Sequence, residues 1–456
     1  VDLDFSNGSL EINSVSRDIW FFRTNTNITD ANGDLLFSTN GAFLANATGD
    51  TLLNGAGLNP SSYTSDYPEG LHIPQACLIL PKPESATVYY LFHSTVDLVV
   101  PSYFATQLYL SVVDMSFAGG LGAAVLKNEI VISDSLVGGK ITAVRHANGR
   151  DWWVFCHKKA TNIFYRLLVT PEGISSPQQQ AIGVVRNYLG GQVCFSSEGD
   201  KFAYYWGMAG EDLEIFDFDR CTGLLSNPVQ ILINDANNHG GVAFSPSGRY
   251  LYVSSINDVY QYDTQAADIA GSMVHIAEWD GFYSPEPPFA TKFDIAQLAP
   301  DGKIYIGTGN GTFHLHVIHD PDEPGTACNM EQHGIELPHY FVNSLPNHPN
   351  YHLGPVDGSV CDSLGINVGV QEAVVQANTS AYPNPNNGAF VLSYPAQASA
   401  GELEVRDLSG RLVLRERIPQ WSQMHHVQLR GEAAGLYQCQ LTWGAQRSSI
   451  RVGVEP

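Results

Sequence analysis

A repeat of about fifty residues constrains this chain more than any other feature. Four segments align: GGKITAVRHANGRDWWVFC from Gly138, GGQVCFSSEGDKFAYYWG from Gly190, GGVAFSPSGRYLYVSS from Gly240 and FDIAQLAPDGKIYIGTG from Phe293. Each is an apolar run, a turn of the N-G, E-G-D, S-G or D-G kind, and a second alternating run, which is the pattern of a β-hairpin. A third and a fourth strand follow, as in LEIFDFD at Leu213 and VQILIN at Val229. A lone four-stranded sheet leaves both faces bare, whereas sheets packed radially bury each face against a neighbour. The period therefore predicts an all-β fold, a β-propeller. Glycines at Gly138, Gly190 and Gly240 open the first strands, where side chains would crowd the axis.

Two weaker units precede these, from IWFFRTNTN at Ile19 and from IPQACLILPKPES at Ile73. With a strand near Tyr340–Leu345 the sum is about seven inner strands, so seven blades are expected and six are the alternative. The last blade then needs strands from the other end of the chain, VDLDF at Val1 and SLEIN at Ser9. The 43 glycines and 25 prolines suit many short strands joined by tight turns.

The pattern lapses after Gly354. The expected organisation is a propeller over residues 1–354, a linker of small and polar residues over 355–378, and a small antiparallel β-sandwich over 379–456. In the last block Tyr382-Pro383-Asn384-Pro385 is followed by Asn387-Gly388, then by Val405-Arg406-Asp407-Leu408-Ser409-Gly410-Arg411. Gly435-Leu436-Tyr437 opens the penultimate strand, and Ile450-Arg451-Val452-Gly453-Val454 forms the last. These motifs, in this order, resemble the C-terminal sorting domain of type IX secretion cargo from Bacteroidetes. That family usually carries lysine in the final strand, where this chain has Arg451. The resemblance implies a secreted protein, free or attached at the cell surface, with the type IX translocon and sorting machinery as partners. It also implies a signal role for Tyr382, Pro383, Asn384, Pro385, Gly388, Asp407, Gly410, Arg411, Gly435, Tyr437 and Arg451. The body resembles Bacteroidetes surface propellers with gliding-motility or adhesion neighbours, on Asn32-Gly33-Asp34-Leu35-Leu36-Phe37, Phe218-Asp219-Arg220-Cys221-Thr222-Gly223 and Ser344-Leu345-Pro346-Asn347.

Charge and cysteines narrow the partners. The net charge of −23 lies on the body, because residues from Gln376 onward hold seven arginines, no lysine and six acids. An acidic body repels nucleic-acid phosphates and anionic membranes, so neither is an expected partner. No run of about twenty apolar residues is present to span a bilayer. The chain starts at Val1 with no signal-like segment, so an export signal is expected to have been removed already. The seven cysteines include no C-x-x-C pair. Cys77 and Cys194 lie in apolar strand-like runs and are expected to be buried thiols. Cys328 and Cys361 lie in loop-like sequence and form the candidate disulfide.

Chemistry is sparse. His314 and His316 would project to one face of a strand, a potential metal edge with His319, although alternating polar side chains on an exposed strand account for them too. Prolines at Pro346, Pro349 and Pro355 forbid the helix that would align His348 with His352. His239, beside Gly240, can face the axial channel. Asp30, Asn32 and Asp34 resemble the opening of a calcium loop, but Gly41 stands where its closing carboxylate would fall, so a turn is expected and calcium is the alternative. The hairpin turns lack the Asp and Trp spacing of sialidase propellers, and no G-x-S-x-G, H-E-x-x-H or Walker loop occurs. No catalytic or metal-binding residue is assigned. The expected function is binding or assembly through the propeller, with an extracellular protein, a glycan or a second copy of the chain as ligand. Tyr283 and Phe289 in the loop GFYSPEPPF are candidate contact surfaces. The alternatives are a secreted hydrolase or lyase acting at the propeller mouth, and a structural subunit of a filament, sheath or surface layer.

Overall fold

A computed structural model of the chain describes every residue except 100, 101, 187–189, 207–212, 236–238, 343, 363–378, 395, 396, 398, 408, 421, 423, 430, 445 and 456. It divides into two compact units, Val1–Leu364 and Gly365–Pro456.

The first unit is a β-propeller whose described residues form six blades of four main antiparallel strands each, the first two joined into one sheet where Ala123 pairs in parallel with Leu53. Blade 1 runs Thr26–Thr29, Leu35–Thr39, Phe43–Asn46 and Thr51–Ala56. Blade 2 runs Cys77–Pro81, Val88–His93, Ser102–Asp114 and Ala123–Leu136. Blade 3 runs Thr142–Arg145, Trp152–His157, Thr161–Thr170 and Gln178–Arg186. Blade 4 runs Gln192–Phe195, Lys201–Tyr205, Leu213–Asp219 and Leu224–Ile231. Blade 5 runs Gly241–Phe244, Tyr250–Ser255, Asp258–Asp263 and Val274–Glu278. Blade 6 runs Phe293–Leu298, Ile304–Thr308, Gly311–Ile318 and Met330–Val342. First strands are buried and touch one another around the axis, while fourth strands are largely exposed. We call the face where the first strands begin the upper face, and the face of their hairpin turns the lower.

Between blades the core is aromatic. Trp153, Phe155 and Phe164 of blade 3 meet Phe202, Phe216 and Phe218 of blade 4 in one buried cluster. The expected crowding at the axis is real at Gly241, where a Cβ would press on the backbone of Ile295 and Ala296 in the next blade.

Four expectations are corrected. The blade count is six among the described residues, because the strand near Tyr340–Leu345 is the end of the long outer strand of blade 6 and not a seventh inner strand. Blade 6 is therefore complete. Asp2–Asp4 and Glu11–Asn13 pair only with each other, and their Leu3 and Ile12 cover Ile295, Leu315, Leu337 and Leu345. Cys361 is joined to Cys221, with Cα atoms 5.6 Å apart, and not to Cys328. Cys328 closes a short 3-10 turn and is buried among Tyr252, Ile304 and Ile318 of blades 5 and 6. Finally, the start of the expected linker is part of the body: Val356 N–H donates to the Ala147 carbonyl, and Cys361 is held by its disulfide. The rest of that linker, 363–378, lies outside the described residues.

The second unit is a sandwich. Ser380–Tyr382, Ala389–Ser393 and Met424–Gln428 form one sheet, and Leu412–Ile418, Gly401–Asp407, Gly435–Trp443 and Gln446–Val454 form the other. Phe390, Leu392, Val405, Leu441, Trp443 and Val452 share its core. Among the described residues no helix is long and apolar enough to cross a membrane.

Candidate functional site

The inner edge of a first strand points unpaired peptide groups at the axis, and burying them requires partners. Side-chain amides supply them, because each carries a donor and an acceptor like a peptide bond. Gln192 donates to the Ala296 carbonyl at 2.6 Å and accepts from Ala296 N–H at 2.9 Å and Val242 N–H at 3.1 Å. Gln75 donates to the Val193 carbonyl at 2.8 Å and accepts from Val193 N–H at 2.9 Å. Asn347 donates from its amide to Cys77 at 2.9 Å and Ile141 at 2.8 Å.

Asn347 belongs to a segment that threads the axis. Its N–H meets the Asn25 carbonyl at the upper end of blade 1. Tyr351 Oη then donates to the Ile79 carbonyl, and Leu353 packs beside Val144. Gly354 accepts from Arg220 on the lower face, where Pro355 lies against Gly149. Arg220 satisfies the carbonyls of Arg145, His146 and Glu198 as well. The disulfide follows, beside a depression of about 410 Å³ lined by Glu198, Asp200, Arg220 and Asp357. The chain's own residues thus fill the axis and fasten down the lower face.

The upper face of blades 5 and 6 is built differently. A cleft of about 260 Å³ is lined by His239, Ile256, Lys292, Phe293, Gly309 and Asn310. His239 lines this cleft, and burial holds its ring below the usual histidine pKa. Lys292 lies over the Trp279 ring at 5.0 Å. Residues 279–291, which join blade 5 to blade 6, fold as a small hairpin closed by Tyr283 and Ala290. The hairpin is fastened on three sides. Phe282 stacks on His333 at 4.1 Å, Asn310 donates to the Ala290 carbonyl, and Ser284 Oγ lies 2.5 Å from His314 Nδ1. Beside it Tyr340, 46% exposed, packs edge-on against Phe289 and Phe313. Gly311 permits this placement, since a Cβ there would collide with the Tyr340 ring. Tyr283, edge-on to Trp279, and the perpendicular Phe289–Tyr340 pair give an aromatic cluster next to the cleft, called the platform below.

Ser284 and His314 have the residue types of a nucleophile and its base. Ser284 is 0% exposed, however, and its Oγ already accepts the Phe313 N–H. The hydroxyl ties the hairpin down and offers no path to a substrate. His316, His319 and His348 are likewise held by the fold. His316 is buried against Phe293, not exposed on the strand, and accepts the His333 N–H; His319 pairs with Glu331. His348 is buried with Nε2 3.0 Å from the Asn27 carbonyl, and His352 lies on the lower stretch of the threading segment. Asp30 spends one carboxylate oxygen on the N–H groups of Asn32 and Asp34, so DANGD is a capped turn. Among the described residues no group of three or more His, Cys, Asp or Glu is placed to hold a metal. Cys77 is buried and Cys194 half-buried, and neither forms a disulfide.

In the sandwich the motif residues fall into two groups. The first fastens the leading segment to the last strand. Asn384 donates to the Arg451 carbonyl at 3.1 Å and accepts from Gly453 N–H at 2.8 Å, with Pro383 and Pro385 on either side of it. Asn386, which the motif reading passed over, donates to Gly453 and accepts from Gly388 N–H. The Arg451 side chain faces solvent, opposite Gln438. The second group is a turn. Asp407 accepts from Ser409 and Arg411, which hold its carboxyl down to about 2, and Gly410 takes the left-handed conformation. Arg411 reaches on to Glu432 at 2.6 Å, and Tyr437 Oη donates to the Ala433 carbonyl. Gly435 starts the strand that pairs with the last one. Tyr382 closes the short strand Ser380–Tyr382, and Leu408 lies outside the described residues.

Residues 380–455 match the family described as Secretion system C-terminal sorting domain. The chain therefore carries a type IX sorting domain, is handled by that secretion machinery, and is secreted to the cell surface or the extracellular space. Comparison with curated protein sequences gives no match. Among solved structures the chain is similar to the periplasmic gluconolactonase of Pseudomonas aeruginosa, at 11% identity and a TM-score of 0.36, over 87% of this chain and 95% of that one. It is similar to the Dos1 propeller at 12% identity and a TM-score of 0.35, over 63% and 71%. It is similar to the GH74 enzyme of Niastella koreensis at 11% identity and a TM-score of 0.40, over 95% and 66%. Likenesses this distant carry no argument about activity.

Proposed function

We propose that the propeller is an exported recognition body that binds an extracellular glycan or protein on the upper face of blades 5 and 6. The observation that carries this is the fastened aromatic platform of Tyr283, Phe289 and Tyr340 beside the His239–Lys292 cleft. Rigid aromatic side chains offer large contact area with little ordering entropy to lose, which suits recognition. The filled axis supports the same reading, because a channel occupied by residues 344–355 leaves no through-path for a substrate. The burial of the Ser284 hydroxyl removes the Ser284–His314 pair from nucleophile-and-base chemistry. In the sandwich, the fastening at Asn384, Gly388 and Arg451 and the turn at Asp407, Gly410 and Arg411 form the surface that we assign to the sorting machinery.

The test is a screen of purified protein against polysaccharides, glycosides, esters and peptides, with and without calcium, scored for both retention and turnover. Retention without turnover is expected. Turnover that vanishes on His239→Ala or Lys292→Ala would replace this reading with a hydrolase or lyase at the mouth.

A further inference from the structure

A second polar site lies apart from the platform, at the upper end of the seam between blades 3 and 4. His157 ends the second strand of blade 3; Tyr204 lies near the end of the second strand of blade 4, and Trp206 just beyond it. All three belong to the faces that meet in this seam or touch it: the His157 ring lies 5.6 Å from the Tyr204 ring, and Tyr204 and Trp206 share the aromatic cluster. They are 1%, 1% and 6% exposed. Among the described residues both ring nitrogens of His157, Tyr204 Oη and Trp206 Nε1 lack a hydrogen-bond partner. One orphan polar atom is common in a folded protein. Four at one end of one seam call for a bound species.

The surroundings select its charge. The Arg186 guanidinium lies 4.3 Å from the centre of the Tyr204 ring, and Lys140 Nζ lies 5.4 Å from it. Lys140 donates to the Gly190 carbonyl, and Arg186 pairs with Glu214, which also accepts the Val184 N–H. Burial and these two cations push the His157 pKa well below its ordinary value, so its ring stays neutral and keeps one N–H. Trp206 can only donate, and a tyrosine hydroxyl and a neutral imidazole can each donate once. Arg186 is paired with Glu214 and burial brings the Lys140 pKa down to about 7, so the positive excess at the seam grows as pH falls through 7. Donors in such a dry environment favour an anion over water.

We propose that this seam holds one small anion, taken by the Trp206 indole N–H, the Tyr204 hydroxyl and the His157 ring. The shared chemistry is a compact monovalent acceptor, either a free halide or the carboxylate of a ligand reaching in from the upper face. The experiment measures the melting temperature of the full chain in sodium chloride, sodium acetate and sodium gluconate at equal ionic strength, gluconate being too bulky for a closed seam. A saturable rise of about 3 °C by roughly 0.3 M anion is expected in chloride or in acetate. A rise in chloride identifies the halide, and a rise in acetate alone identifies the carboxylate. Tyr204→Phe and Trp206→Phe should each abolish the anion-dependent increment, whatever they do to the baseline. Equal melting temperatures in all three salts would overturn the proposal, and so would an increment that survives in both variants. Crystals soaked in bromide and in acetate give an independent reading: an anomalous bromide peak or acetate density beside Trp206 Nε1 supports the site, and an ordered water there in both soaks refutes it.

Discussion

Gln192 satisfies three backbone groups on two neighbouring blades with one side chain. Gln192→Leu keeps the volume but leaves those groups buried and unpaired, so it should lower stability by about 3 kcal/mol in a denaturant titration. Loss below ~1 kcal/mol would mean that water replaces the amide. His348 is a second test at this scale. Burial brings its pKa down to about 4 from 6.5, so the folded protein refuses a proton that the unfolded chain accepts. The neutral ring contributes its full stability above about pH 6.5, and that contribution is lost as pH falls from there toward 4. The melting temperature should therefore drop across this window, and His348→Gln should flatten part of the drop. Neither role was legible in the sequence. A glutamine beside a glycine pair and a histidine between prolines read as surface polar residues until the axis brings other blades to them.

Elements were far more legible. Hairpins at Gly138, Gly190, Gly240 and Phe293 stand where the turn chemistry put them, because alternation and N-G or D-G turns are local signals. The fourth strand of blade 6 was not, since the polar run MEQHGIELPHYFV lacks alternation and contains a proline. That miss inflated the blade count and drew the N-terminal strands into a ring closure they do not make. The Cys221–Cys361 disulfide was hidden for a related reason: 140 residues separate its ends, and only the threading of 344–355 through the axis brings them together. The N-terminal hairpin still matters, because it covers Ile295, Leu315, Leu337 and Leu345. Removing residues 1–14 should lower the melting temperature by several degrees and promote aggregation. An unchanged melting curve would show that these side chains are covered without it.

At the scale of the whole molecule, the chain divides into two compact units, the second of which carries the sorting domain. Deleting residues 379–456 should leave a folded body that stays in the periplasm of a type IX-competent host. Arrival of that truncated protein in the medium would remove the sorting role from this unit. The binding reading was legible only in outline. Absent motifs argued against catalysis and the loop GFYSPEPPF offered aromatics, but only the fold sets Tyr340 beside them, some fifty residues downstream. The most direct measurement is an array of extracellular glycans and surface proteins probed with labelled wild-type protein and with the Tyr283→Ala, Tyr340→Ala double variant. Both side chains are exposed, so the variant should melt with the wild type while losing at least about tenfold in affinity for every ligand retained. Undiminished binding by a variant of unchanged melting temperature would contradict recognition at this platform.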